Sequence, residues 1–128
     1  QEVQVHIQKG EALKQLLKAT VAKVQKQGFE TIAVVCRTKE ETREVKEILE
    51  IQEETEDFHN GVMVLPVTLT KGLEFDAVIL WKADEEHYGE NPKEAKLLYV
   101  AITRALHQLY FLGDKPLSGL LKDGIPKR

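Results

Sequence analysis

The sequence predicts an α/β domain built on a mainly parallel sheet. Two observations carry this. Four apolar runs, at residues 31–36, 62–67, 76–81 and 108–112, the first three of them β-branched, lack the alternation of half-exposed strands, as strands covered on both faces do. Segments with helical spacing of apolar residues lie between most of them, and strands alternating with helices give a parallel sheet.

The elements follow in order. Val3, Val5 and Ile7 alternate with polar residues, which reads as a half-exposed strand at a sheet edge. Leu13, Leu16, Leu17, Val21 and Val24 mark a helix over 11–27, with Gly28 as its stop. The buried strand 31–36 comes next. Thr38 with Glu41 three residues on has capping-box spacing, and it opens a helix running to about residue 50. Residues 51–60 are acidic and polar, a loop. Strands 62–67 and 76–81 flank a polar hinge at 70–74. Residues 83–91 read as a solvated acidic loop, and Pro92 suits the first turn of a helix continuing to about residue 106. Strand 108–112 is ended by Gly113-Asp114, and at most a short helix remains over 116–122.

At 128 residues this is a single domain with room for one buried core. Apolar residues make up 42% and charged residues 30%, which excludes disorder as the main state. The net charge of −3 excludes holding nucleic acid by global charge, so any such contact must be local or shared. A lone cysteine, Cys36, rules out an internal disulfide framework and a cysteine-based zinc site, and points to a cytoplasmic setting. The four histidines show no metal-ligand spacing, so no metal site is expected. No apolar run of about 18 residues occurs, so no membrane-spanning helix is expected. The chain starts at Gln1 rather than Met, from which we expect a piece of a longer protein, with residues 1–128 as one domain of it.

Chemistry concentrates in two stretches. Thr70-Lys71-Gly72-Leu73-Glu74 forms the hinge, expected at strand ends where open α/β sheets place ligands. In Leu98 to Leu106 one arginine, Arg104, interrupts a helix that is apolar nearly all round. Arginine is rarely buried without a partner. Either Arg104 pairs with a carboxylate of this chain, Glu74 or Asp84, or it points outward at something negative. Arg37 directly follows the strand 31–36, where a ligand group would also sit. Trp81 ends an apolar run and is read as core or cleft wall. No G-x-x-x-x-G-K-S/T loop occurs, so the domain lacks a phosphate cradle of its own.

Lys71-Gly72-Leu73-Glu74-Phe75-Asp76 resembles motif V of superfamily 1 helicases of the UvrD/Rep type. Leu98-Tyr99-Val100-Ala101-Ile102-Thr103-Arg104-Ala105 resembles motif VI of the same family, and the likeness extends over roughly residues 31–114. It implies a RecA-like, P-loop NTPase-type three-layer domain without its own Walker A loop, the second of two in an ATP-driven DNA motor. ATP with Mg2+ would be bound mainly by an N-terminal RecA-like domain, and single-stranded DNA would be the track. Arg104 would be the arginine finger, and Arg37 resembles the motif IV arginine that also reaches the ATP phosphates. Glu74 would meet the ribose, Lys71 and Gly72 would shape the nucleotide-side turn, and Thr68 and Thr70 would touch the phosphate backbone of the strand.

Three departures stand out. Cys36 occupies the place of the motif IV aromatic that stacks on adenine, and Thr68 and Pro66 replace a histidine and a threonine. Only residues 38–61 separate Arg37 from Val62, where well-known members insert a large accessory domain. The short spacing resembles the HelD-like and RecD-like branch, which brings RNA polymerase in as an alternative partner.

Overall fold

In chain order the elements are β1 (Glu2–Ile7), α1 (Glu11–Lys26), β2 (Ile32–Cys36), α2 (Lys39–Ile48), β3 (Val62–Pro66), a single 3-10 turn (Val67–Leu69), β4 (Phe75–Trp81), α3 (Pro92–Ile102) and β5 (Ala105–Gly113). They come from a computed structural model that describes residues 2–51, 61–84, 86–89 and 91–119. The strands form one sheet in the order β1-β5-β4-β2-β3, with every neighbouring pair parallel.

Helices on both faces make three layers. Leu13, Leu17, Val21 and Val24 of α1 and Val45 of α2 close over Val34 and Ile79. Leu98, Ala101 and Ile102 of α3, with Val67 of the 3-10 turn, close over Val35 and Leu80 on the other face. Each such side chain removed from water stabilises the fold by roughly 1.5–3 kcal/mol. All five residues of β2 are buried, which is why its sequence shows no alternation. Trp81 lies in the core, 1% exposed.

Local chemistry sets the helix ends. Thr38 accepts the Glu41 N–H at 3.3 Å, and Asn91 accepts the Glu94 N–H at 3.0 Å. Gly28, at φ +85°, takes the left-handed conformation just after the α1 C-cap, Gln27.

Four features differ from the sequence reading. α3 stops at Ile102, about a turn early, because Ala105 already pairs with Phe75 in the β4–β5 ladder. That helix buries one side only, and Tyr99 is 49% exposed. β1 is an edge strand, as the alternation suggested, but Val3, Val5 and Ile7 are all exposed. The stretch after β4 is not simply solvated, since Asp84 is 2% exposed. The loop expected over 52–60 and Glu85 lie outside the described residues; of the short helix expected over 116–122, residues 116–118 are irregular and 120–122 lie outside them. Among the described residues no helix is long and apolar enough to cross a membrane.

Candidate functional site

The parallel sheet has an amino edge, where strands begin, and a carboxyl edge, where they end. The residues singled out from the sequence divide between the two.

Arg104 lies at the amino edge, on the turn between α3 and β5 rather than within a helix. The turn is built by backbone bonds. The Arg104 N–H donates to the Ala101 carbonyl at 3.2 Å, and its own carbonyl accepts the Phe75 N–H at 2.8 Å. The side chain is therefore launched from a fixed point between the end of a helix and the start of β4. Its guanidinium reaches the Leu73 carbonyl only at 3.5 Å, and its buried Nε has no hydrogen-bond partner among the described residues. Asp84 does not pair with it, since it lies past the far end of β4 and is held by His87. An unmet buried donor costs about 1–3 kcal/mol.

The hinge crosses from the carboxyl end of β3 to the amino end of β4, so it does not sit wholly at carboxyl strand ends. Lys71, Gly72, Leu73 and Glu74 are exposed, and Glu74 immediately precedes β4 beside the Arg104 turn. Gly72 has φ +79°, a conformation that glycine adopts without strain. Thr68 is exposed on the 3-10 turn. Thr70 is different: it is fully buried, and its hydroxyl donates to the Val67 carbonyl at 2.7 Å. That hydroxyl closes the turn.

Arg37 sits at the carboxyl edge, directly after β2, and the fold does not bring it to Arg104. Its Nε and Nη2 donate to the two carboxylate oxygens of Glu94 at 2.9 and 2.8 Å. This two-pronged bond holds the Glu94 carboxyl below the usual carboxylate range. The Arg37 N–H also donates to Glu41, whose other carboxylate oxygen lies 2.7 Å from His87 Nε2. His87 Nδ1 is 2.7 Å from Asp84, so the imidazole stands between two carboxylates. Burial pushes the Glu41 carboxyl up. Cys36 and Tyr88 are buried beneath this cluster, and burial raises both of their pKa values as well. Cys36 is therefore core and offers no face for stacking.

The sequence reading missed Glu94, Asp84 and His87 as a cluster, and saw Glu41 only as a capping residue. The one available signal was Asn91 followed three residues later by Glu94, a helix start. Nothing in the spacing pairs Glu94 with an arginine 57 residues away. Among the described residues, no group of three or more His, Cys, Asp or Glu side chains is placed to hold a metal ion.

Residues 61–112 match the family described as UvrD-like helicase C-terminal domain. That segment contains Thr68, the hinge, Glu94 and Arg104, and it leaves Arg37 outside. No curated protein matches the chain. Among solved structures, the C-terminal domain of a possible DNA helicase from Lactobacillus plantarum WCFS1 is 32% identical, with a TM-score of 0.79. The match covers 94% of this chain and 78% of that one. With that identity over nearly its whole length, and with the hinge and the Arg104 turn inside the matched segment, the chain belongs to the UvrD-like helicase C-terminal domain family.

Proposed function

We propose that this chain is the C-terminal motor domain of an ATP-dependent DNA helicase or translocase, working against an N-terminal RecA-like domain that binds ATP and Mg2+. One observation carries the reading: Arg104 presents a guanidinium at the amino edge with a buried, unmet Nε and no carboxylate partner among the described residues. A fixed cation with spare donors fits the oxygens of a phosphate. Bound ATP supplies the phosphoryl group and Mg2+ part of the neutralising charge. The chain's own part is to hold Arg104 where negative charge grows during transfer, an effect worth roughly 10³–10⁵ in rate in such enzymes. Glu74, beside it, is suited to accept from a ribose hydroxyl. Lys71 and Gly72 set the turn that leads to Glu74.

Arg37 has no part in that contact, because its donors are engaged by Glu94 at the other edge. Exposed Thr68 remains the candidate for touching single-stranded DNA, and buried Thr70 does not. The short connection between Arg37 and Val62 supports the HelD-like and RecD-like branch, with RNA polymerase as the alternative partner.

The test is ATP hydrolysis by the protein that contains both domains, with single-stranded DNA or with RNA polymerase added, for the parent and for Arg104→Ala. We expect stimulation by single-stranded DNA and its loss in the variant. Stimulation by RNA polymerase alone would favour the alternative. Steady hydrolysis by this 128-residue chain by itself would sink the shared-site reading.

A further inference from the structure

α3 spans the sheet from edge to edge. Glu94 stands in its first turn at the carboxyl edge, and Arg104 donates one of its last hydrogen bonds at the amino edge. Its 11 residues make a rod of about 16 Å.

The two ends are fixed differently. The C-terminal half is seated by Leu98, Ala101 and Ile102 in the core. The N-terminal half has no buried residue before Leu98; Pro92, Lys93 and Lys96 are exposed. Leu97 packs partly buried against the core, and the directional tie of that half is the two-pronged bond from Arg37 to Glu94. Apolar contact is non-directional and leaves slide and rotation weakly defined. A planar guanidinium bonded to both carboxylate oxygens defines distance and angle together.

Arg37 is in turn held to the strand-end cluster, since its N–H donates to Glu41, which meets His87 on the loop leading into α3. The brace therefore joins β2, α2 and the loop to a single point on the helix. Arg104 is bonded to the helix end through its backbone, so any shift of α3 is delivered to it.

We propose that Glu94 is a positioning residue for Arg104, acting from the opposite edge of the sheet through α3, with Arg37 as its anchor. The inference rests on the reading of Arg104 as the residue that meets the nucleotide phosphate. Glu94 touches neither substrate nor the reacting atoms; it fixes where the helix ends.

The experiment uses the protein containing both domains. kcat and KM for ATP are measured for Glu94→Gln, Arg37→Lys, Arg104→Ala and the double variant Glu94→Gln/Arg104→Ala, with thermal unfolding of each. We expect Glu94→Gln to lower kcat about tenfold, the size of effect that a small misplacement produces, with KM changed less than about twofold. Arg37→Lys keeps the charge but loses the fork, and should fall similarly. Should Glu94→Gln fail to fold, Arg37→Lys carries the same comparison. In the Arg104→Ala background, Glu94→Gln should lower kcat no further, because the group it positions is gone. An additive loss in the double variant, or unchanged kcat in both Glu94→Gln and Arg37→Lys, overturns this proposal while leaving Arg104 in place. Unchanged kcat in Arg104→Ala overturns the reading of Arg104, and this inference with it.

Discussion

Arg37 and Arg104 stand at opposite ends of the sheet. Arg37 follows the last residue of β2, and Arg104 precedes the first residue of β5. The length of β4 lies between those levels, seven residues or about 20 Å at the rise of a strand. One phosphate cannot be held by both. The two arginines also differ in state: Arg37 is satisfied by a carboxylate, and Arg104 is not.

Substituting the two should therefore give opposite signatures. Among the described residues Arg104→Ala removes no ion pair and it removes an unmet buried donor, so the midpoint of thermal unfolding should not fall. In the two-domain protein its kcat should fall about 10²-fold or more, with a smaller loss of ATP affinity. Arg104→Lys should recover little, since an ammonium lacks the planar fork. Arg37→Ala should cost about 1–3 kcal/mol of stability, because Glu94 is left half-buried without its donor. A destabilised Arg104→Ala domain with near-normal kcat would contradict this assignment.

Acid should act through Glu94. Its folded carboxyl lies below its ordinary value because Arg37 donates to it. A depressed carboxylate contributes stability that is present above its unfolded pKa, about 4.3, and is lost as pH falls through the lower folded value. Glu41 has the opposite sign, since burial raises its pKa and favours the protonated form. Unfolding curves at pH 3 to 7 for the parent and Glu94→Gln separate the two. The parent should lose more stability below about pH 4.3 than the variant does.

Thr70 and Thr68 provide a paired check. Thr70→Val removes a buried hydroxyl bonded at 2.7 Å and should cost about 1–3 kcal/mol. Thr68→Ala, at an exposed site, should change stability by less than about 0.5 kcal/mol. Urea unfolding measures both. Reduced affinity for single strands in Thr68→Ala, with stability intact, would support Thr68 as a strand contact.

Gly72→Ala tests the hinge. A Cβ there would meet nothing within 4 Å, so no clash arises. The conformation at φ +79° still disfavours alanine by about 1–2 kcal/mol. A loss of that size in chemical unfolding would locate the role of Gly72 in backbone conformation rather than in close packing.

The sheet was legible because burial on both faces leaves a local mark. The apolar runs of β2, β3 and β4 announce strands without any knowledge of their partners. Arg104 stood out for the same kind of reason, being a charge inside an apolar run. The end of α3 was not, because β5 starts early only through its pairing with Phe75, which spacing cannot reveal. The partners of Arg37 and Thr70 were not legible on similar grounds. A strand-end arginine looks the same whether it faces solvent, a ligand or a carboxylate 57 residues away. A threonine beside a glycine turn does not announce that its hydroxyl points inward. The cluster of Glu41, Asp84 and His87 depends wholly on which loops the fold brings together.

The strand order has a consequence for how this domain assembles. β5 is the last strand among the described residues, yet it lies between β1 and β4, and Glu2 of β1 stands opposite Gln108. During synthesis the first strand has no ladder to join until the last one emerges about a hundred residues later, while β2, β3 and β4 can pair among themselves. Val3, Val5 and Ile7 wait in the open through that interval. β1 can be paired only once β5 is in place, and the turn that carries Arg104 leads directly into β5.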